Sequence, residues 1–299
     1  MSKNKTIWLA LITMLLWGSL YPTVKLGFSA FAVDSTADIL LFAGVRFVIC
    51  GAIICIFAAI TDKGSYKAVR TTIWPILLSG FFAIILHYSL SYTGLELTDS
   101  SKTALIKKVG TLFYICFSFL FIKSDRPTAK KIIAAFGGFL GIVVLNISTD
   151  GFSFSIGDVL IIASSFSSVF ASVISKKMFD RVSPLTSTGV SQFFGGAVLV
   201  IVGLLFGGRL NFAFDSSLLL MAYICAASTV SYCIWYNVVK SGELSKLFII
   251  KFAEPIFACI FSAMLLNENI WQIQYLVAFV LISGSIWLSN TRSKKADKL

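Results

Sequence analysis

Ten apolar stretches, each about 20 residues long, limit what this chain can fold into more than any other feature of its sequence. An α-helix of about 20 residues crosses the hydrocarbon core of a bilayer. The stretches lie near residues 6–26, 37–60, 71–93, 100–122, 129–147, 157–175, 186–206, 217–237, 244–266 and 271–289. Because only short segments connect them, the sequence predicts an all-α membrane protein with ten transmembrane helices and no soluble domain.

Charged residues are few, and their positions follow the apolar pattern. They make up 13% of the 299 residues, while hydrophobic residues make up 57%; a soluble domain has about 25% charged residues. In a soluble protein the net charge of +11 would point to a nucleic-acid partner. Here the basic residues lie between apolar stretches, so membrane topology explains them, and we expect lipids rather than nucleic acid as surroundings.

Lysine and arginine are distributed unequally between the two predicted sides of the membrane. Eighteen lie on one side, and three lie on the other: Lys25, Lys102 and Arg209. By the positive-inside rule this predicts that both termini are cytoplasmic. The N-terminus, with Lys3 and Lys5 before an apolar run, also resembles a signal peptide. Its apolar run is too long for one, so we expect a retained first helix.

The second half of the chain repeats the first at an offset of about 143 residues. At this offset Lys108 falls on Lys251. Other identities at nearly the same offset pair Cys116 with Cys259, Gly44 with Gly189, and Gly51 with Gly196. Each half has five segments, an odd number, so the halves must cross the membrane in opposite directions. We therefore predict two inverted five-helix repeats, residues 1–148 and 149–299, around a central cavity.

Five charged side chains lie well inside the predicted spans, away from the span ends. They are four cations and one acid: Arg46, Lys107, Lys108, Lys251 and Glu254. Each costs about 2.5–3.5 kcal/mol near the centre of a membrane helix, which disfavours contact with lipid. Lys108 lies about 12 Å along its helix from Ser100, roughly twice the reach of a lysine. A water-filled cavity is therefore favoured, with snorkelling or structural ion pairing as the alternative.

Helical spacing indicates which faces meet that cavity. The fourth segment carries a polar stripe: Thr103, Lys107, Gly110, Thr111, Tyr114 and Ser118. Lys107 therefore faces the cavity, and Lys108 borders the stripe. Lys251 has Glu254 three residues later, a spacing that allows an ion pair. In the first and sixth segments, a second pair of stripes joins Thr13, Trp17 and Tyr21 with Ser164, Ser168 and Ser172; the serines indicate either a polar wall or close helix packing.

The third and eighth segments are rich in aromatic and polar residues. They contain His87, Tyr88, Ser91 and Tyr92, and Ser228, Tyr232, Trp235 and Tyr236. Such aromatics lie either at the membrane interface or around a ligand. His87 is either a hydrogen-bonded core residue or a group that couples transport to protons. The six cysteines form no CxxC motif and no cluster with His87, so we expect no disulfide, metal site or cofactor.

Short motifs along the whole chain resemble the EamA-type branch of the drug/metabolite transporter superfamily. The matching residues are Trp17-Gly18-Ser19, Arg46-Phe47, Gly157-Asp158, Glu254-Pro255, Asn267-Glu268 and Gly284. The resemblance implies ten helices around a central cavity, alternating access, and transport of small metabolites such as amino acids, nucleotide sugars or organic phosphates. The chain departs from a perfect repeat, since Gly110-Thr111 stands where the second half has Glu254-Pro255.

Together these patterns predict a secondary transporter of an anionic or zwitterionic metabolite: an amino acid, a carboxylate or an organic phosphate, with export as the expected direction. The predicted substrate-binding residues are Lys107, Lys108, Lys251, Glu254, Arg46, Thr111, Tyr114, Trp17, Tyr21, His87, Tyr88, Ser168, Ser172, Tyr232 and Trp235. A coupling proton or ion is a further candidate partner. The expected setting is the plasma (inner) membrane of a bacterium, with the protein as a monomer or homodimer.

Other functions fit the sequence less well. A carrier of organic cations would use Glu254 as counter-charge and aromatic rings as a cage, but the excess of cations argues against it. An intramembrane enzyme is disfavoured because the sequence has no GxSxG motif, no P-loop and no second histidine beside His87. A non-transporting accessory subunit is the remaining alternative.

Overall fold

The computed structural model describes residues 3–62, 65–98, 100–122, 128–145, 155–211, 216–267 and 273–290, and the regular structure within these ranges is entirely helical. It consists of α1 (Lys3–Ala30), α2 (Thr36–Thr61), α3 (Ser65–Gly80), a π-helical turn (Phe81–Leu86), α4 (His87–Glu96), α5 (Ser100–Ile106), α6 (Lys108–Phe121), α7 (Ala129–Leu145), α8 (Ile156–Met178), α9 (Pro184–Leu205), α10 (Ser216–Ser241), α11 (Leu244–Ile250), α12 (Ala253–Leu266) and α13 (Ile273–Asn290). The predicted all-α class is confirmed.

Seven helical segments of the described chain are long and apolar enough to cross a membrane. They are Asn4–Ala30, Thr36–Thr61, Ser65–Glu96, Ile156–Met178, Pro184–Leu205, Ser217–Ser241 and Leu244–Leu266. Two shorter apolar helices cover Lys108–Phe117 and Ile273–Leu288. These lengths and compositions identify an integral, multi-pass membrane protein. The ten-span inverted arrangement and the cytoplasmic termini stay predictions.

Glycines allow α2 and α9 to pack with their backbones in direct contact. A Cβ atom added at Gly51 of α2 would lie 2.3 Å from the amide nitrogen of Phe193, and one at Gly44 would lie 2.5 Å from that of Val200. No side chain fits in either space. Small residues at such positions are the usual means by which membrane helices approach closely, since lipid gives no hydrophobic drive between them.

The Gly137-x-x-x-Gly141 motif has the packing role that its spacing predicts. Both glycines of α7 face α13: an added Cβ would lie 2.8 Å from Ser285 Oγ at Gly137 and 3.0 Å from the Ile282 side chain at Gly141. Gly284, on α13, has open space around it. The two helices are thus held together by small residues on the α7 side.

Two membrane segments are interrupted where the cavity lies. Between α5 and α6 the break is at Lys107, and the amide of Gly110 donates to Ser165 Oγ on α8 at 3.0 Å rather than continuing the helix ladder. Between α11 and α12 the break is at Lys251 and Phe252. Pro255 has no N–H to donate to the Lys251 carbonyl, which instead accepts from the Glu254 amide at 3.2 Å. Interrupted membrane helices are tolerated where backbone groups find such partners.

Candidate functional site

A central cavity is lined by helices from both halves of the chain. Including the open solvent at its mouth, the empty space between these helices is about 890 Å³. Fourteen of the fifteen predicted site residues line it, all except Tyr114. The elements that supply them are α1, α2, α4, α6, α8, α10 and α12, together with the breaks before α6 and before α12. Tyr114 is fully buried and packs against Phe248, with ring centroids 4.6 Å apart.

A buried ion pair joins the two halves across the cavity. Lys108 Nζ donates to Glu254 Oε2 at 2.6 Å, and Tyr21 Oη donates to Glu254 Oε1 at 2.6 Å. The lysine side chain is 2% exposed and the glutamate 5%. The sequence spacing predicts instead a pair between Glu254 and Lys251, within one segment. That pair does not form, because Lys108 reaches Glu254 from α6 and Lys251 lies against aromatic rings instead.

Lys251 lies against three aromatic faces. Its Nζ is 4.9 Å from the ring centroid of Phe248, 5.2 Å from that of Trp235 and 5.4 Å from that of Trp17. At these distances the negative faces of the rings attract an ammonium group. We call Trp17, Trp235 and Phe248 the aromatic box.

Lys107 has a similar environment on the other side of the cavity. Its Nζ is 5.4 Å from the ring of Tyr21 and 5.8 Å from that of Tyr88, and it donates to Ser91 Oγ at 3.3 Å. Among the described residues, neither Lys107 nor Lys251 forms an ion pair with a carboxylate. Both ammonium groups therefore line the cavity without a protein counter-charge.

Arg46 is held rigidly at the cavity wall. Its Nε donates to Ser228 Oγ at 2.9 Å, one terminal nitrogen donates to Tyr92 Oη, and its guanidinium stacks 4.7 Å from the Phe47 ring centroid. The residue is 1% exposed. The guanidinium thus supports the positive potential of the cavity from behind its surface.

His87 and the tyrosines form the polar part of the α4 and α10 walls. His87 Nδ1 lies 2.7 Å from the Ser164 carbonyl oxygen, and the hydroxyls of Tyr88 and Tyr232 lie 2.7 Å apart. Tyr88, Tyr232 and Trp235 line the cavity, and their contact with a ligand stays a prediction.

The serines of α8 serve both purposes that their spacing allows. Ser168 and Ser172 line the cavity, and Ser172 Oγ donates to the Ser168 carbonyl at 2.9 Å. Ser164 is fully buried and donates to the Ile161 carbonyl at 2.7 Å. Ser165 also lines the cavity, although no stripe predicts it; the available signal is its position three residues before Ser168.

Outside the membrane spans, Glu243 joins α7 to the start of α11. It accepts hydrogen bonds from Lys131 and, at 2.5 Å, from Lys246. Partial burial raises the pKa of Glu243, but the hydrogen bonds and charges of the two lysines outweigh this effect and leave the pKa below its usual value. This cluster ties together loops that the sequence places on the cytoplasmic side.

The described residues offer no group of three or more histidine, cysteine, aspartate or glutamate side chains that could hold a metal ion. Three of the six cysteines are buried: Cys50, Cys225 and Cys259. The chemistry of the cavity is therefore that of ammonium, guanidinium and aromatic groups around one engaged carboxylate.

Comparison with known proteins relates almost the whole chain to a family of transporters. The model of the EamA-like transporter family matches residues 4–147 and 155–290. An uncharacterised transporter of Bacillus subtilis, YvbV, is 27% identical over 298 residues, covering 98% of this chain and 93% of its own. An uncharacterised transporter of Archaeoglobus fulgidus is 22% identical over 275 residues, covering 89% of this chain and 91% of its own.

A relative in Escherichia coli is similar over the same number of residues as the Archaeoglobus fulgidus protein. The uncharacterised inner membrane transporter YedA is 24% identical over 275 residues, covering 90% of this chain and 85% of its own. A solved structure, entitled "Crystal structure of protein", superimposes with a TM-score of 0.78 at 20% identity and covers 97% of both chains. That likeness concerns the fold alone.

Proposed function

The chain belongs to the EamA-like transporter family, and on this premise we propose that it is a secondary transporter that carries a small anionic or zwitterionic metabolite by alternating access. The substrate occupies the central cavity, with its acidic group between Lys107 and Lys251. Tyr21, Thr111, Trp17, Tyr88, Ser168, Ser172, Tyr232 and Trp235 form the walls around it.

The charge balance of the cavity carries this proposal. Four cationic residues line it, whereas Glu254 is its single carboxylate among the described residues. Glu254 is fully engaged by Lys108 and Tyr21. Placing uncompensated charges inside a membrane protein is costly, and such groups mark substrate pathways. An acidic substrate would supply the missing counter-charge when it binds.

The positions of Lys107 and Lys251 support an inverted repeat around the site. Each directly follows a seven-residue helix, α5 in one case and α11 in the other. A shift of 144 residues carries Ser100–Ile106 onto Leu244–Ile250, and with it Lys107 onto Lys251. The C-terminal end of each short helix favours the cation that follows it.

The contact between α2 and α9 has the same internal symmetry. Gly44 on α2 approaches Val200 on α9. Gly189 on α9 approaches Cys55 on α2. A shift of 145 residues converts the first contact into the second, as expected for two halves related by a two-fold axis in the membrane plane. We infer ten spans in two inverted repeats, 1–148 and 149–299, that rock against each other across the Lys108–Glu254 pair.

Contacts between segment ends support the proposed topology. One end brings together residues that the sequence places in the cytoplasm: Lys131 with Glu243, Lys176 with Gly242, and Asp62 with Thr186. The opposite end joins Lys25 with Thr98, and Asp38 with Arg209. With the excess of basic residues at the first end, both termini are cytoplasmic and the protein lies in a bacterial plasma membrane.

A carrier of organic cations fits the site less well. Such a substrate would need a free carboxylate, but both oxygens of Glu254 accept hydrogen bonds from the protein. The aromatic faces of the box are also engaged, since Lys251 already lies against them. The cavity is therefore better suited to an anionic group.

A counterflow screen with the purified protein in liposomes tests the proposal. Amino acids, dicarboxylates, phosphorylated metabolites and organic cations are offered in turn, and Lys107→Met and Lys251→Met are compared with the wild type. We expect uptake of an acidic metabolite that falls at least about tenfold in each variant. Lys246→Met, a change of a half-exposed lysine outside the cavity, is the matched control. Unchanged uptake in both cavity variants, or uptake of cations alone, would refute the proposal.

A further inference from the structure

One hydrogen bond fixes the orientation and tautomer of the His87 ring. Nδ1 lies 2.7 Å from the Ser164 carbonyl oxygen. A carbonyl oxygen can only accept, so Nδ1 carries the hydrogen. In the neutral ring the other nitrogen, Nε2, then has a free lone pair and can only accept a hydrogen bond.

The accepting nitrogen is available to the cavity. His87 is among the residues that line it. Within the described part of the chain, Nε2 has no hydrogen-bond partner, yet it is not one of the fully enclosed polar atoms that lack a partner. The atom therefore has access to the space in which a substrate would lie.

The accepting role of Nε2 belongs to the neutral ring. The cavity already contains Arg46, Lys107, Lys108 and Lys251 against a single carboxylate, and an imidazolium would add a fifth cation. Each oxygen of Glu254 already accepts one hydrogen bond, from Tyr21 or from Lys108, whereas His87 Nε2 accepts none from the described residues. The ammonium groups thus suit the acidic group of a substrate, whereas His87 suits a hydrogen-bond donor on the same molecule.

We propose that His87 Nε2 accepts a hydrogen bond from a hydroxyl or ammonium group beside the acidic group of the substrate. The transporter then selects hydroxy or amino derivatives of a small acid over the analogue that lacks the donor. This selectivity rests on the proposed function, since it requires an anion in the cavity. A buried acceptor left without its donor costs enough to lower affinity about ten- to a hundredfold for the unsubstituted analogue.

Matched sets of acids measure this selectivity in the wild-type protein. Competition in the counterflow assay compares malate and aspartate with succinate, lactate and alanine with propionate, and glycerol 3-phosphate with propyl phosphate. Within each set the acids differ in whether they carry the hydrogen-bond donor. Comparing malate with aspartate, and lactate with alanine, shows whether a hydroxyl or an ammonium group is the preferred donor. Methoxysuccinate has the oxygen of malate without its hydrogen, so it should bind as weakly as succinate.

Two variants assign the selectivity to His87. His87→Phe keeps a ring but removes the acceptor, so the roughly ten- to hundredfold preference for the substituted acid within each set should be largely lost. His87→Gln keeps an accepting oxygen and should retain a preference. Equal loss for both acids in His87→Phe would overturn the inference.

The wild-type result separates two kinds of failure. Transport of acids without preference within any set, or methoxysuccinate bound as tightly as malate, would overturn the role of His87 and leave the proposed function standing. If none of the acids is transported, both are refuted. These comparisons require no variant to fold.

Discussion

The two interrupted segments, α5 with α6 and α11 with α12, are alike in shape, but one carries an extra cation and the other an acid. Each begins with a seven-residue helix followed by a lysine, Lys107 or Lys251, that faces aromatic rings. The next positions differ. The first break continues with Lys108, and the second has Glu254 in the first turn of α12.

The difference explains why the halves stay associated around a positively charged site. The extra cation of one break and the extra acid of the other bind each other at 2.6 Å. Glu254 also lies at a helix N-terminus, where a negative charge is favoured. Both breaks have a lysine, Lys107 or Lys251, that pairs with no carboxylate among the described residues. The residues in which the breaks differ, Lys108 and Glu254, neutralise each other's charge. We therefore expect the shared lysines to serve the substrate, and the differing residues to join the two halves.

Breaking the Lys108–Glu254 pair should have the largest effect on stability. Glu254→Met leaves a buried ammonium group unpaired, and Lys108→Met leaves a buried carboxylate, so each should lower the free energy of unfolding by about 3–5 kcal/mol. Unfolding in mixed micelles measures it. The double variant Lys108→Met/Glu254→Met should recover most of the loss, because no charge is left unpaired. Losses that add in the double variant would contradict this view of the pair.

Glycines seat the two breaks against neighbouring helices, and filling either position should have the next largest effect. A Cβ at Gly18 of α1 would lie 2.9 Å from the Glu254 carbonyl oxygen, and one at Gly110 would lie 2.8 Å from that of Ser165. Backbone atoms cannot give way cheaply, so Gly18→Ala and Gly110→Ala should each cost about 1–3 kcal/mol of unfolding free energy.

Gly284→Ala is the matched control for this pair of changes. It adds the same methyl group to a helix position with nothing within 4 Å, where alanine favours the helix by about 0.5–1 kcal/mol. Equal effects at all three glycines would show that contact with the breaks is not what matters.

The aromatic box should affect substrate binding more than stability. Lys251 has three rings within 5.4 Å, whereas Lys107 has two rings at 5.4 and 5.8 Å. Removing one ring from the box by Trp235→Leu should weaken binding of the acidic substrate about three- to tenfold, as expected for loss of one cation–π contact. Counterflow at several substrate concentrations measures it. Trp287→Leu, at an exposed position of α13, should leave affinity unchanged.

Sequence patterns were sufficient for the fold class and for most of the cavity lining. Membrane helices are recognised by the length of their apolar stretches, and a charged residue inside a span must face the protein interior or a water-filled cavity. Sequence patterns were not sufficient for pairing. An i, i+3 spacing brings Lys251 and Glu254 to one side of their segment, but it does not reveal that Lys108 of another helix reaches the same carboxylate. Tyr114 continues the polar stripe of α5 and α6 in sequence, but in the structure it packs on Phe248.

The alignment of the two halves was limited in the same way. Sequence identity pairs Lys108 with Lys251 at an offset of 143, whereas the helix ends pair Lys107 with Lys251 at 144. One residue of register changes which lysine corresponds to the substrate-facing one. The environments decide for the second pairing, since Lys107 and Lys251 both face aromatic rings and Lys108 faces a carboxylate.

The exposed cluster around Glu243 should show the smallest effect and a dependence on pH. Its two lysines lower the pKa of Glu243 in the folded protein despite partial burial. A lowered pKa stabilises the fold at pH values above the unfolded value of about 4.3, and this contribution is lost as the pH falls through the lower, folded pKa. Because the side chain is 35% exposed, solvent screening limits the contribution to below about 1 kcal/mol.

Thermal unfolding of Glu243→Gln against the wild type tests this contribution between pH 7 and pH 3. The variant should unfold at a slightly lower temperature at pH 7, and the difference should disappear at the acid end, where Glu243 is protonated in both states. Lys246→Gln should reproduce part of the effect, because it removes one of the two lysines that lower the pKa. A difference that grows on acidification would mean that Glu243 is held in its protonated form, and the two lysines would then not act as its counter-charges. The buried Lys108–Glu254 pair and the partly exposed cluster around Glu243 thus test the same chemistry, an acid that joins the two halves, at two levels of solvent access.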